Sequence, residues 1–401
     1  MKTRILTAVL SLCLCRGSGF SISQTSSFQF LQRPGPYPVG LMIVDQYDRS
    51  RTYPATRKDP SKSSMVENAR PLQTLIWYPS LKSTGKPMTV GDYAQLADTE
   101  IHFNAPNERE NRWRSLLKTS FDVPLWAVRD AKPASGHYPT LIYAPSDSSV
   151  SWENADVCEY LASHGYVVLA SSSLGVSTRD MTDDLDGIDA QARDISFLIT
   201  YAISLPDTDL SEVAAMGWSW GGISGLFAAA RDPRIDGLVE MDGSMRYYPG
   251  LVKRAGDVHP GQMTIPLLCF TRNVSLEDLE NDDVAPVDKD GPNVLNAWIH
   301  GDLLNVNMLG MAHPEFSSMF QRRENAQRFA ENQIADYGRE DANTSHAWVA
   351  LYTLKFLDAY LKHDGSAKAF LEKAPAENGV PKHFVGVKFN PAQKRSDANS
   401  R

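Results

Sequence analysis

The pentapeptide Gly217-Trp218-Ser219-Trp220-Gly221, with Gly222 behind it, constrains this chain more than any other stretch. A serine between two glycines at this spacing suits a strand that bends sharply into a helix. The backbone at the serine is strained there, and a side chain at either glycine would clash. Val213 to Met216 reads as a buried strand before the turn, and Ile223 to Ala230 as a helix of small residues after it. Without that context the pattern is weak; within it, the pattern is specific. Ser219 is therefore a candidate nucleophile.

The flanking sequence alternates in the same way. Leu72–Tyr78, Tyr138–Ala144, Gly165–Ser171, Glu212–Gly217, Ile235–Met241, Ile265–Phe270 and Leu303–Met311 read as apolar strands. Helices are expected at Trp152–His164, Gly187–Leu205, Gly221–Arg231, Ser317–Tyr337 and His346–Lys362. Strands alternating with helices predict an α/β fold whose mostly parallel sheet carries helices on both faces. The expected organisation is a signal at 1–23, an extended, irregular segment at 24–70, and one domain at 71–390. That domain carries a helical insertion at about 90–127, and a polar tail follows at 391–401.

A serine hydroxyl needs a neighbouring base to become a good nucleophile. In a strand–turn–helix hydrolase the order along the chain is serine, acid, histidine. Six histidines follow Ser219, at 259, 300, 313, 346, 363 and 383. His313 comes directly after the last apolar run and before a new helix, where a loop leaving the sheet belongs. His300 is its competitor, and His346 reads as a helix start after Thr344 and Ser345. For the acid, Asp242 ends the strand after the turn, ahead of Gly243. The alternatives Glu277, Asp278 and Glu280 lie in a strongly acidic loop that reads as solvated surface.

These residues resemble the α/β-hydrolase superfamily, and within it the dienelactone-hydrolase-like and platelet-activating-factor-acetylhydrolase-like branch. The resemblance rests on Leu75-Ile76-Trp77-Tyr78-Pro79, on Leu161-Ala162-Ser163-His164-Gly165-Tyr166-Val167-Val168, on the turn itself, and on Ala312-His313-Pro314-Glu315-Phe316. It covers about Leu72 to Lys362. It implies an acyl-enzyme on Ser219, with His313 as base and Asp242 as acid. It also implies two backbone donors for the developing oxyanion, Trp220 and Asp147, with Ser146 the near alternative. Here the chain departs from its relatives. Pro145-Ser146 stands where His-Gly is common, and Pro145 has no N–H.

Trp218 and Trp220 flank the serine, either as core residues or as walls of a substrate pocket. Trp152 and Tyr247 are further candidates to line the cleft, with Arg246 and Tyr248 beside Tyr247. His164, before Gly165, reads as a helix cap. No Cys or His grouping has metal-ligand spacing and no glycine-rich loop precedes a helix as a phosphate site, so no cofactor is expected.

The net charge of −8 carries no basic cluster, which argues against a nucleic-acid partner and leaves a small-molecule ester as the expected one. Lys2 and Arg4 ahead of the apolar Ile5–Cys15, then small residues to Ser23, read as an export signal, so the chain is expected to be secreted or periplasmic. No later run is long enough to span a bilayer. Removal of the signal leaves Cys158 and Cys269, which read as small core residues, although a bridge between them is open. The oligomeric state is not legible. Ester hydrolysis is the expected activity. An amidase or peptidase, a cofactor-free peroxidase and an inactive hydrolase-like binding protein are the alternatives.

Overall fold

The computed structural model describes residues 28–53, 69–104, 110–272, 285–323, 337–381 and 383–393. The expected signal at 1–23, the acidic loop with Glu277, Asp278 and Glu280, much of the helix expected at Ser317–Tyr337, and nearly all of the polar tail lie outside them.

Eleven strands form one sheet among the described residues: β1 Val39–Thr52, β2 Ala69–Pro79, β3 Pro87–Thr89, β4 Pro124–Arg129, β5 Tyr138–Ala144, β6 Val167–Ser171, β7 Thr208–Trp218, β8 Gly237–Met241, β9 Leu267–Arg272, β10 Leu303–Met308 and β11 Val385–Asn390. Their order is β11-β10-β9-β8-β7-β5-β6-β2-β1-β4-β3. From β6 through β5, β7, β8 and β9 to β10 every pairing is parallel. β2 and β11 pair antiparallel against the two ends of this block.

Side chains along these strands alternate between two cores. On β7, Ala214, Met216 and Trp218 join one cluster, packed under the helices Ala155–Ser163 and Arg339–Tyr360. Val213 and Ala215 join the other, under Leu185–Ala202 and Trp220–Arg231. A period of two with both faces covered explains why the central strands read as continuous apolar runs.

Two regions differ from expectation. Within the segment expected to be extended and irregular, 24–70, Val39–Thr52 is the regular strand β1, in register with β2 from Val39↔Pro79 to Asp48↔Arg70. Its second half is largely uncovered, so ladder hydrogen bonds rather than apolar burial hold it, and burial is what hydropathy patterns report. The helical insertion is real at Val90–Gln95 and Glu110–Leu116, but it ends in β4, which runs parallel to β1. Residues 28–38 run against the body: the Gly35 N–H donates to Ser163 Oγ at 2.8 Å, and Phe28 packs edge-on against His346.

The connection from β5 leads to β6 on one side, whereas β7, on the other side, leads away to β8. The strand order thus reverses between β5 and β7, and in open α/β sheets the crevice beyond such strand ends is where ligands bind. The last pair in their register is Ala144↔Gly217. The chain therefore delivers Pro145–Ser149 and Ser219 side by side at that crevice.

Candidate active site

Ser219 stands between β7 and the helix Trp220–Arg231 with φ 55° and ψ −119°. A non-glycine residue there carries a strain of about 1–3 kcal/mol, which the surroundings must impose. The surroundings do so from both sides: the Ser219 N–H donates to Met241 O at 3.1 Å, and Ser219 O accepts from the Ser244 N–H at 2.8 Å. The flanking glycines are needed for space. A β-carbon on Gly217 would stand 2.3 Å from the Gly221 carbonyl carbon, and one on Gly221 would stand 2.0 Å from Ala144 O.

His313 enters on the loop after β10, and its Nε2 is 2.9 Å from Ser219 Oγ. Its Nδ1 is 2.6 Å from Asp242 Oδ2. Asp242, which follows β8, is fully buried. Its Oδ1 accepts from Tyr247 Oη at 3.0 Å and from the Arg272 N–H at 3.3 Å, and the Arg246 and Arg272 guanidinium groups each approach the carboxylate to 3.5 Å. Burial alone would raise the Asp242 carboxyl. The His313 hydrogen bond and charge, with Arg246 and Arg272 beside it, outweigh burial and hold it below the ordinary aspartate value. With Asp242 ionised, Nδ1 carries the imidazole proton, which leaves Nε2 free to accept from the serine.

The other expected histidines are elsewhere. His300 precedes β10, at the opposite edge of the sheet, with Nδ1 3.3 Å from Gln393 O. His346 is buried in the middle of Arg339–Tyr360; that helix starts at Arg339, seven residues before it, with Gly338 rather than Thr344 or Ser345 as cap. His164 caps Ala155–Ser163, its Nδ1 2.8 Å from Tyr160 O.

The loop after β5 can be accounted for group by group. Pro145 O accepts from Gln191 Nε2 at 2.7 Å. The Ser146 N–H donates to Glu153 Oε2 at 3.0 Å, and Ser146 O accepts from Ser173 Oγ at 2.5 Å. The Ser149 N–H donates to Ser173 Oγ at 2.7 Å, while Ser149 O accepts from Arg179 Nη2 at 3.1 Å. The Ser146 N–H is thus already engaged, whereas among the described residues nothing accepts from the N–H of Asp147. The Trp220 N–H opens its helix, where an N–H has no acceptor within the helix. Asp147 itself is exposed, and its Oδ1 accepts from Ser148 Oγ at 3.0 Å.

Three residues expected to line the cleft do something else. Trp218 is 3% exposed; its ring packs on His313 at 5.1 Å and its Nε1 donates to His313 O at 3.1 Å. It is a floor for the histidine loop, because the alternation of β7 turns it into the core. Trp152 is equally buried, edge-on to Trp113 at 5.2 Å. Tyr247 spends its hydroxyl on Asp242 and accepts from Arg272 Nε at 3.0 Å. The Trp220 ring is also buried, packed edge-on against Tyr248 at 5.2 Å.

Sequence reasoning passed over several groups. Glu153 and Asn154 are completely buried beside the loop just described, and Glu240 is completely buried one strand position before Met241. A charged residue inside an apolar strand, as in Leu238-Val239-Glu240-Met241, was the available signal for Glu240. Cys158 and Cys269 are both buried and free, and Cys269 Sγ donates to Glu240 Oε1 at 2.7 Å. Among the described residues no group of three His, Cys, Asp or Glu side chains is placed to hold a metal, and no helix is long and apolar enough to cross a membrane.

The sheet order, the strained serine between β7 and its helix, and the loops gathered at one sheet edge define the α/β-hydrolase fold. Within that fold the chain is similar to a solved structure of a ferulic acid esterase from Streptomyces cinnamoneus, with a TM-score of 0.61 and 19% identity over 91% of this chain and 99% of that one. At that identity the likeness speaks to fold. No protein-family model matches the chain, and no curated protein sequence does.

Proposed function

We propose that this chain is a serine hydrolase that cleaves a carboxylic ester through an acyl-enzyme on Ser219. The observation that carries the reading is the hydrogen-bonded chain from Ser219 Oγ to His313 at 2.9 Å and on to Asp242 at 2.6 Å, set on a strained turn at the crevice. Ser219 Oγ attacks the ester carbonyl while its proton passes to His313 Nε2, and Asp242 stabilises the imidazolium. The N–H groups of Trp220 and Asp147 donate to the oxyanion. Collapse of the tetrahedral adduct breaks the bond to the alcohol, which leaves with the proton held by His313. Water, deprotonated in turn by His313, then releases the acid and restores the serine.

The ester activity of the structural neighbour supports ester over amide, and the acid directly after β8 supports kinship with the acetylhydrolase-like branch. The basic and apolar residues from Lys2 to Cys15 support export from the cytoplasm. A fluorophosphonate probe should label the wild type at Ser219 and leave Ser219→Ala unlabelled. Short p-nitrophenyl esters should be hydrolysed in preference to the matching anilides. A wild type that is neither labelled nor active on any ester would overturn the reading in favour of a binding protein.

A further inference from the structure

Two loops bring groups to the serine: Pro145–Ser149, with the Asp147 N–H, and the stretch from His313 to Met319. They come from distant parts of the sequence, and neither lies in a regular element long enough to be rigid by itself. Both end on the same two residues, Glu153 and Asn154, which are completely buried at the start of the helix Ala155–Ser163.

The Glu153 carboxylate serves the first loop. Its Oε2 accepts from the Ser146 N–H at 3.0 Å and from Tyr143 Oη at 2.7 Å, and its Oε1 accepts from Ser146 Oγ at 2.5 Å. The backbone carbonyl of Glu153 serves the second, accepting from the Met319 N–H at 3.1 Å, Ser317 Oγ at 3.1 Å and Ser318 Oγ at 3.4 Å. Asn154 completes the bridge: Nδ2 donates to Phe316 O at 3.1 Å and to Tyr143 Oη at 2.8 Å, and Oδ1 accepts from the Ser318 N–H at 2.8 Å. A buried carboxyl is costly unless its oxygens are occupied, and here both are, so the arrangement is rigid as well as tolerated. The Ser146 N–H held by Glu153 belongs to the peptide next to that of the Asp147 N–H, for which no acceptor stands among the described residues.

We propose that Glu153 and Asn154 are positioning residues, a clamp that fixes the Asp147 donor and the His313 loop in one frame and so sets the fit to the tetrahedral adduct. The proposal rests on the ester-hydrolase reading. The carboxylate is essential in this role because an amide offers one acceptor oxygen where Glu153 uses two. A clamp of this kind acts on the transition state more than on the bound ester, since the oxyanion bonds tighten only as charge develops.

The test uses the full chain, with active sites counted by a fluorophosphonate, and compares wild type, Glu153→Gln and Ser146→Ala. For each, kcat and KM are measured on p-nitrophenyl acetate, together with the affinity for benzeneboronic acid, which forms a tetrahedral adduct on the serine. Glu153→Gln should lower kcat per counted site by roughly 10- to 100-fold, with KM within about twofold, and weaken the boronate by a similar factor. Ser146→Ala, which removes only the Oγ bond and leaves a chain able to fold where the glutamine variant does not, should lose roughly three- to tenfold in both readouts. A merely structural role would reduce the number of countable sites and leave each one at full rate. Variants with kcat per site and boronate affinity within twofold of an active wild type would overturn the clamp alone, whereas an inactive, unlabelled wild type would overturn the hydrolase reading and the clamp with it.

Discussion

Ser219 and Asp242 are both held at positive φ, 55° and 44°, at the ends of the neighbouring strands β7 and β8. A non-glycine backbone holds such a conformation only where its surroundings impose it. Space enforces it most severely at Gly221, where a β-carbon would meet backbone oxygens of Ala144 and Pro145 at 2.0 and 2.7 Å. These oxygens belong to β5 and its loop and cannot swing aside as a side chain would. Gly221→Ala should therefore destabilise the fold by about 3 kcal/mol in urea melts and abolish ester hydrolysis. A variant that melts with the wild type would show that β5 and β7 separate more easily than their packing implies. Asp242 gives a second expectation. Asp242→Asn removes the acceptor that holds the Nδ1 proton and should lower kcat by roughly 10⁴-fold with the histidine loop intact. The carboxyl also contributes to stability with a definite sign. Its folded-state value is lowered, so the contribution is present above the ordinary aspartate value and is lost as pH falls through the lower one. The acid-unfolding curve of Asp242→Asn should lack that component. An unchanged curve below about pH 4 would mean that His313, Arg246 and Arg272 gain nothing from facing it.

Strands that the sequence makes legible are those buried on both faces. β5 and β8 are runs such as YPTLIYA and GLVEM, and no surface residue interrupts them. β1, β4 and β11 are less legible because each lies toward an end of the sheet, where fully buried positions are few or absent. Pairing with a neighbour, which no local pattern encodes, is what makes them strands. The same limit explains the tryptophans. That one lies on each side of Ser219 was plain, but which core each ring would enter depends on the strand's facing, and only the packed sheet shows Trp218 under His313. Ser219, His313 and Asp242 were readable because a fixed order along the chain narrows the choice. The clamp at Glu153 was not, since its partners are 7 residues away on one side and more than 160 on the other.

The link between the antiparallel end of the sheet and its parallel centre is also a buried charge. Asp194, on the helix Leu185–Ala202, accepts from Arg70 Nε at 2.7 Å, Arg70 Nη2 at 2.6 Å and Arg51 Nη2 at 2.6 Å. Arg70 is 2% exposed, so its charge has little access to water. Asp194→Ala would leave it buried and uncompensated, and the expected loss is about 3–5 kcal/mol in urea unfolding, with β1 and β2 the first to gain hydrogen exchange. A loss under about 1 kcal/mol would mean that the carbonyls of Leu174 and Gly175, which Arg70 also reaches, suffice to satisfy it.

At the scale of the whole molecule, three buried glutamates contribute to how stability depends on pH. Burial pushes Glu159 up to about 8 despite donors from Tyr93, Trp126 and Ala127, and pushes Glu240 and Glu315 up to about 7. Each binds its proton more tightly in the folded chain than in the unfolded one, where a glutamate titrates near its ordinary value of 4.5. Their contribution is complete below that value and is lost as pH rises through the folded one, the reverse of the sign at Asp242. The net charge of −8 at pH 7 acts in the same direction, since self-repulsion grows as the remaining protons leave. The melting temperature should therefore fall from about pH 5 to about pH 8. Glu240 tests one part of the first cause. Its Oε1 accepts from Cys269 Sγ, and a glutamine oxygen can take the same bond without ever ionising. Glu240→Gln should make the fall between about pH 5 and 7 shallower and leave the parts due to Glu159, Glu315 and net charge. If scanning fluorimetry gives parallel curves for wild type and variant, the proton on Glu240 contributes nothing to the slope, which then belongs to Glu159, Glu315 and repulsion across the surface.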